Sequence, residues 1–161
     1  MPRNYALYKF ARGKGLRYMP PFPHMKPVEV EIMQRFIELA PLGTEYEYDV
    51  RLFPEIKPLA PGADEEAYKA WLLLKAKRID AVAHTPDAIW ILEVKDRLRP
   101  SAVGQLLVYR DLYDRQFHPL KPLRLGVVCG DDDPLVRPTC AEHGIKVWVV
   151  GPPSAPKRVL G

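Results

Sequence analysis

Residues 78–95 read RIDAVAHTPDAIWILEVK, and most of the architecture follows from how this stretch folds back on itself. Arg78 to His84 and Ala88 to Lys95 are two runs rich in branched and apolar residues. Between them stands Thr85-Pro86-Asp87, where proline pre-sets the backbone for a turn. The spacing predicts a β-hairpin. If the turn is centred between Pro86 and Asp87, opposed residues have numbers that total 173, which sets Asp80 opposite Glu93. Side chains alternate along a strand, so Glu93 and Lys95 project to one face and Trp90, Leu92 and Val94 to the other.

Two carboxylates opposed across strands repel each other, at a cost of up to about 1 kcal/mol. A divalent cation would relieve that repulsion. Oxygen donors suit Mg²⁺ or Mn²⁺, with Asp80 and Glu93 as ligands and the backbone carbonyl of Val94 as a third. The local pattern fits a second arrangement equally well, a surface hairpin in which Arg78 and Lys95 pair with Asp80 and Glu93 and each pair contributes little.

Outward from the hairpin, Val28 to Ala40 carries apolar residues at helical spacing and is stopped by Pro41 and Gly43. Val28, Ile32, Met33, Phe36, Leu39 and Ala40 form its apolar face, and Glu29 falls in the middle of that face. Glu29 is then either a carboxylate aimed inward at a partner or a first-turn acid favoured by the helix dipole. Glu45 to Phe53 alternates as a strand and ends at Pro54. Asp64 to Lys77 has the cap and charge order of a helix, although LLLKAKRIDAV also reads as one long strand. Downstream, Ser101 is the expected cap of a helix reaching about Phe117. Its buried stripe is Ala102, Leu106, Tyr109, Tyr113 and Phe117, with Gln105 on the shoulder. Strands are expected at Leu123 to Cys129 and Ile145 to Val150. This order predicts an α/β fold with a mixed central β-sheet flanked by helices over residues 28–150.

The 161 residues, 47% of them hydrophobic, suffice for one domain with extensions. The net charge of +4 is unevenly placed. Residues 1–27 hold Arg3, Lys9, Arg12, Lys14, Arg17 and Lys26 and no acid, so a basic Pro-rich arm precedes a domain with a slight acidic excess. YMPPFPHMKP, at 18–27, reads as an extended connector, and 151–161 as a Pro-rich tail. Two cysteines are too few for a disulfide framework, and no Cys/His spacing resembles a zinc site. No apolar run reaches the roughly 18 residues of a spanning helix. A reducing, cytoplasmic setting without membrane association is the expectation. The four histidines are scattered, with His84 beside the turn as a structural residue. Asp131 to Asp133 reads as a solvated turn, and Cys129 as a packed strand residue. Arg12-Gly13-Lys14-Gly15 lacks the strand and helix a phosphate loop requires.

With RID at 78–80, EVK at 93–95 and QLLVY at 105–109 in this order, roughly residues 28–130 resemble the PD-(D/E)XK nuclease superfamily, and the acid spacing is similar to that of archaeal Holliday junction resolvases. The chain departs from the pattern in having Ile79 where proline is common, and in its Pro-rich insertion at 54–77. The resemblance implies a restriction-endonuclease-like core in which Asp80 and Glu93 bind metal and Lys95 orients or helps deprotonate the attacking water. It also implies that Glu29 adds a helix-borne carboxylate, while Gln105 and Tyr109 match the Q-x-x-x-Y pattern of several subfamilies. A Mg²⁺- or Mn²⁺-dependent deoxyribonuclease in repair, recombination, restriction or viral DNA processing is the activity implied. Arg78, Arg97 and Arg99 stand near the strand ends, where they could contact phosphates. The competing expectation is a noncatalytic structural or DNA-binding component that retains the fold, for example a phage head-completion or neck protein of the virion. In either case the arm is expected to join copies into a homo-oligomer or a larger assembly.

Overall fold

A computed structural model describes residues 25–39, 42 and 45–151. The readings made for the rest of the arm, for Ala40 and for the tail past Gly151 lie outside the described residues. Helix α1 (Pro27–Leu39), strand β1 (Glu45–Leu52), helix α2 (Glu65–Lys75) and strands β2 (Lys77–His84) and β3 (Ile89–Arg97) come first. Helix α3 (Pro100–Phe117), strand β4 (Leu123–Asp131), helix α4 (Arg137–Glu142) and strand β5 (Ile145–Val149) complete the chain order.

The strands form one sheet in the order β1-β2-β3-β4-β5. β2 runs antiparallel to both of its neighbours, β1 and β3, while β3, β4 and β5 run parallel. The β2–β3 turn is too short to do anything but reverse the strand, and the parallel neighbours β3–β4 and β4–β5 need crossovers, supplied here by α3 and α4, whereas β1 and β2 are antiparallel across a longer connection that contains α2. In the β2–β3 hairpin, Ala81 pairs with Leu92, Val82 with Ile91, Ala83 with Trp90 and His84 with Ile89. This is the expected register. Thr85 closes the turn, its hydroxyl bonding the Asp87 carboxylate at 3.0 Å and the Ala88 carbonyl at 2.9 Å.

Each face of the sheet carries its own core. Ile32, Met33 and Phe36 of α1 pack on Tyr46, Tyr48, Ala81, Ala83, Trp90, Leu92 and Val94. Trp148 lies 5.2 Å from the Phe36 ring and 5.3 Å from that of Trp90, a geometry in which aromatic pairs add about 0.5–1.5 kcal/mol each. On the opposite face Ala102, Leu106, Tyr109 and Tyr113 of α3 cover Val82, Ile89, Ile91, Leu125 and Val127. Gly130 lets the end of β3 lie close, because a Cβ there would stand 2.7 Å from the Asp96 carbonyl oxygen.

Three local expectations are corrected. Ser101 does not cap α3: Arg99 holds the cap position without a side-chain capping bond, and Pro100 opens the helix, where its missing N–H costs nothing. Leu39 has the spacing of the buried stripe but is 68% exposed at the helix end. Phe117 is half-buried, packed against the core from the last turn. The ambiguous segment divides. Asp64 accepts from the Ala67 N–H at 3.0 Å and starts a helix that ends at Lys75, and β2 begins at Lys77.

Candidate metal and catalytic centre

The β2–β3 ladder stops at Ala81–Leu92, while β1 and β2 remain paired down to Lys77. Beyond that rung β2 has left the edge of β3. A carboxylate takes its place: Asp80 Oδ2 accepts from the Val94 N–H at 2.9 Å. A strand residue's N–H and C=O leave by the same edge, so the Val94 carbonyl also faces the opening that β2 has vacated. Asp80 and Glu93 therefore meet as the hairpin arithmetic predicts, across a gap between strands.

Alternation places Glu93 and Lys95 on the α3 face and Trp90, Leu92 and Val94 on the α1 face, as expected. Glu93 is 2% exposed. Its Oε1 receives the Lys95 ammonium at 2.9 Å, whereas its Oε2 is buried and accepts no hydrogen bond among the described residues. The carboxyl groups of Asp80 and Glu93 stand close enough for one, when protonated, to bond the other. From α3, Gln105 Nε2 approaches the Tyr109 hydroxyl at 3.4 Å, and Gln105 Oε1 is a second buried acceptor without a partner among the described residues.

Electrostatics follow from this crowding. Burial and then the charge of Glu93 push Asp80 up to about 8, against the Val94 N–H and Lys95, which favour its ionised form. Burial also raises Glu93, although Lys95 opposes it. For Lys95 burial works downward, but the Glu93 hydrogen bond and the surrounding acids reverse it and hold the ammonium above its ordinary value. Tyr109 is raised by burial and by the charges of Glu93 and Asp80. Fully ionised, the cluster is short of positive charge.

Glu29 lies at the margin. Its Oε2 accepts from the Lys26 backbone N–H at 2.9 Å, the reach of a residue in the first turn back to the helix cap. It is half-exposed, yet close enough to raise Asp80, Glu93 and Lys95. Glu29 thus serves as a first-turn acid at the cap and also faces the centre closely enough for its charge to act there. Among the described residues no group of three or more His, Cys, Asp or Glu side chains is gathered as metal ligands. The centre is a carboxylate pair. The pair, which includes the unpartnered Glu93 oxygen, and the Val94 carbonyl together make a hard-oxygen donor set, which fits Mg²⁺ or Mn²⁺.

The three arginines differ. Arg78 stands 3.7 Å from Asp49, and Arg99 makes a two-point contact with Asp96 at 3.0 and 3.1 Å. Arg97 is exposed and forms no ion pair among the described residues. Asp96 was not a sequence candidate. Its spacing to Arg99 was the available signal, but short acid–base spacings are common on exposed chain. His84 is paired with the buried Glu47 at 3.1 Å, away from the centre. Asp132 bonds Arg137 at 3.0 Å in the expected turn, and Cys129 is buried.

Comparisons with protein-family models, with curated proteins and with solved structures return no match to this chain. No helix among the described residues is long and apolar enough to cross a membrane.

Proposed function

We propose that this chain is a divalent-cation-dependent nuclease of the PD-(D/E)XK type that hydrolyses DNA phosphodiester bonds. One observation carries the reading. A buried carboxylate, Glu93, and a half-buried one, Asp80, meet where β2 and β3 part; Glu93 has one oxygen without a partner among the described residues, and Lys95, two residues along the strand, is engaged on its other oxygen. Burying like charges side by side is unfavourable for folding, and a bound cation offsets it.

In this reading Asp80, Glu93 and the Val94 carbonyl hold Mg²⁺ or Mn²⁺, which would supply Lewis acidity toward the scissile phosphate and an attacking water. The protein's own groups do the remainder. Lys95, kept protonated by Glu93, brings a fixed positive charge to the attacking side. Gln105 presents a buried oxygen, without a partner among the described residues, that can accept a hydrogen bond from a water and so orient it, and Tyr109 holds the amide from its other end. Arg97 offers an uncommitted cation to a neighbouring phosphate, and Arg78 and Arg99 could join it by exchanging their carboxylate partners. Among the described residues no strand or helix presents a base-reading element, and recognition by shape, branch or free end is the mode in keeping with this reading.

The test is incubation with linear, supercoiled, single-stranded and branched DNA, with Mg²⁺, Mn²⁺ or EDTA, alongside Asp80→Ala and Lys95→Ala. Cation-dependent cutting that both variants lose is the expected result. Folded protein that cuts nothing would favour the second reading, a DNA-binding or assembly component with a nuclease-like fold. The commitment of Glu29 to the helix cap is the observation on that side.

A further inference from the structure

Asp49 lies in the middle of β1 with φ of +56°, a left-handed conformation that L side chains seldom adopt inside a strand. The β1–β2 register stays constant on either side of it. Tyr48 pairs with Ala81 and Val50 with Ile79, and only the rung between them, Asp49 opposite Asp80, is missing from the ladder. No residue is inserted, so this is a crease rather than a bulge.

Both strands change face at that rung. Tyr46 and Tyr48 join the α1-side core, whereas Val50 and Leu52, at the same parity, join the α3-side core. Opposite them Ala81 and Ala83 face α1, whereas Ile79 faces α3. The β2–β3 ladder ends one residue away, at Ala81. Had β2 run straight, the expected register would have set Ile79 opposite Val94, with the Ile79 carbonyl receiving the Val94 N–H. The Asp80 carboxylate receives it instead.

We infer that Asp49 is a positioning residue: its left-handed backbone creases β1 and β2 together, parts β2 from β3, and thereby brings the Asp80 carboxylate onto the Val94 N–H beside Glu93. Asp49 is not one of the reacting groups proposed above, and it stands 3.7 Å from Arg78. The inference about cation binding rests on the nuclease reading, whereas the inference about Asp80 geometry does not. Alternation could not reveal the crease, because residues 46, 48, 50 and 52 are all apolar. The signal was an aspartate inside a strand, where that residue is depleted.

The experiment compares Asp49→Val and Asp49→Ala with Asp49→Asn and Asp49→Gly in the full chain. Asparagine and glycine tolerate positive φ, and valine resists it most. Amide hydrogen exchange followed by NMR reports the Val94 N–H directly, with Leu92 as the in-ladder reference, and Mn²⁺ titration reports the centre. In Asp49→Val and Asp49→Ala, Val94 should exchange roughly tenfold faster or more relative to Leu92, the loss of one part-buried hydrogen bond, with Mn²⁺ affinity falling in parallel. Asp49→Asn and Asp49→Gly should match the wild type. Unchanged Val94 exchange in Asp49→Ala, or equal acceleration in Asp49→Asn, would overturn the inference. Should Asp49→Val fail to fold, Asp49→Ala carries the comparison. A wild-type protein that binds no Mn²⁺ removes the nuclease reading while leaving the exchange pattern to decide the role of Asp49.

Discussion

Replacing Asp80 with asparagine should stabilise the cation-free protein at pH 8 while abolishing its response to Mn²⁺. The acid is held at about 8 in the folded chain against an ordinary 3.8, so the native state binds a proton more tightly than the unfolded state across that window. An acid raised in this sense contributes stability that is complete below about pH 4 and is lost as pH rises through about 8. A shift of roughly four units corresponds to a limit of about 5–6 kcal/mol at the alkaline end. Glu93 shares the penalty, which makes about 2–4 kcal/mol a working figure for Asp80 alone. Asparagine keeps an oxygen for the Val94 N–H and adds an N–H group beside the unpartnered Glu93 oxygen, so the substitution meets both local needs. At this chain length the gain amounts to a Tm about 5–15 °C higher at pH 8. Thermal unfolding in EDTA from pH 4.5 to 8.5, repeated with millimolar Mn²⁺, measures it. The wild type should lose stability toward alkaline pH and recover it with Mn²⁺, and Asp80→Asn should be flatter with pH and indifferent to the cation. A variant less stable than wild type at pH 8, or stabilised equally at pH 4.5, would refute the reasoning.

Lys95→Ala should eliminate cutting and lower Tm in EDTA at pH 8 by the equivalent of about 1–3 kcal/mol, because the buried Glu93 loses its counter-charge. The deficit should shrink on acidification, where a protonated Glu93 needs none, and scans at pH 4.5 and 8 check it. Glu29→Gln retains an acceptor for the Lys26 N–H and removes only a charge acting from the rim. Its effect on cutting rate should stay within about fivefold, the scale of a solvent-screened pair, and a fall of a thousandfold would make Glu29 a direct participant. Gly130→Ala forces a methyl to 2.7 Å from the Asp96 carbonyl oxygen at the end of β3. A loss of about 1–3 kcal/mol in urea unfolding is expected, with weakened Mn²⁺ binding because the displaced strand carries Glu93 and Lys95.

What the sequence made legible was governed by local rules. The turn chemistry of Thr85-Pro86-Asp87 and the two-residue strand period were enough for the hairpin register, and hence for Asp80 beside Glu93 with Lys95 on the same face. Helical spacing likewise recovered the Ala102, Leu106, Tyr109 and Tyr113 stripe. A wheel projection aimed Glu29 at the centre, whose acids and lysine do feel its charge, but it gives the angle around an axis and ignores position along it. Three residues into a helix, a glutamate reaches the unsatisfied N–H of the cap more readily than the core. Ser101 looked like a cap by residue type alone, and Pro100 immediately before it settled the start through its fixed φ. The crease at Asp49 depends on which face of a twisted sheet each core occupies, a non-local property that no single strand's pattern encodes.

The same non-local packing keeps the carboxylates together. A pair of repelling acids on a pliable surface would separate and hydrate, and here Glu93 is buried and Asp80 only half-exposed. Ile79 and Ala81 flank Asp80, and Leu92 and Val94 flank Glu93, and all four are fully buried between the two cores. Moving either acid outward would break packing worth several kcal/mol, more than the repulsion it would relieve. The site must then be neutralised where it stands, and a proton or a cation can do so at the same oxygens. Those two occupants compete, so cation affinity should climb as pH approaches about 8 and Asp80 gives up its proton. The fold's two cores thus convert a charge pattern readable in eighteen residues into a fixed electrostatic demand, and the chemistry proposed for the chain is one way of meeting it.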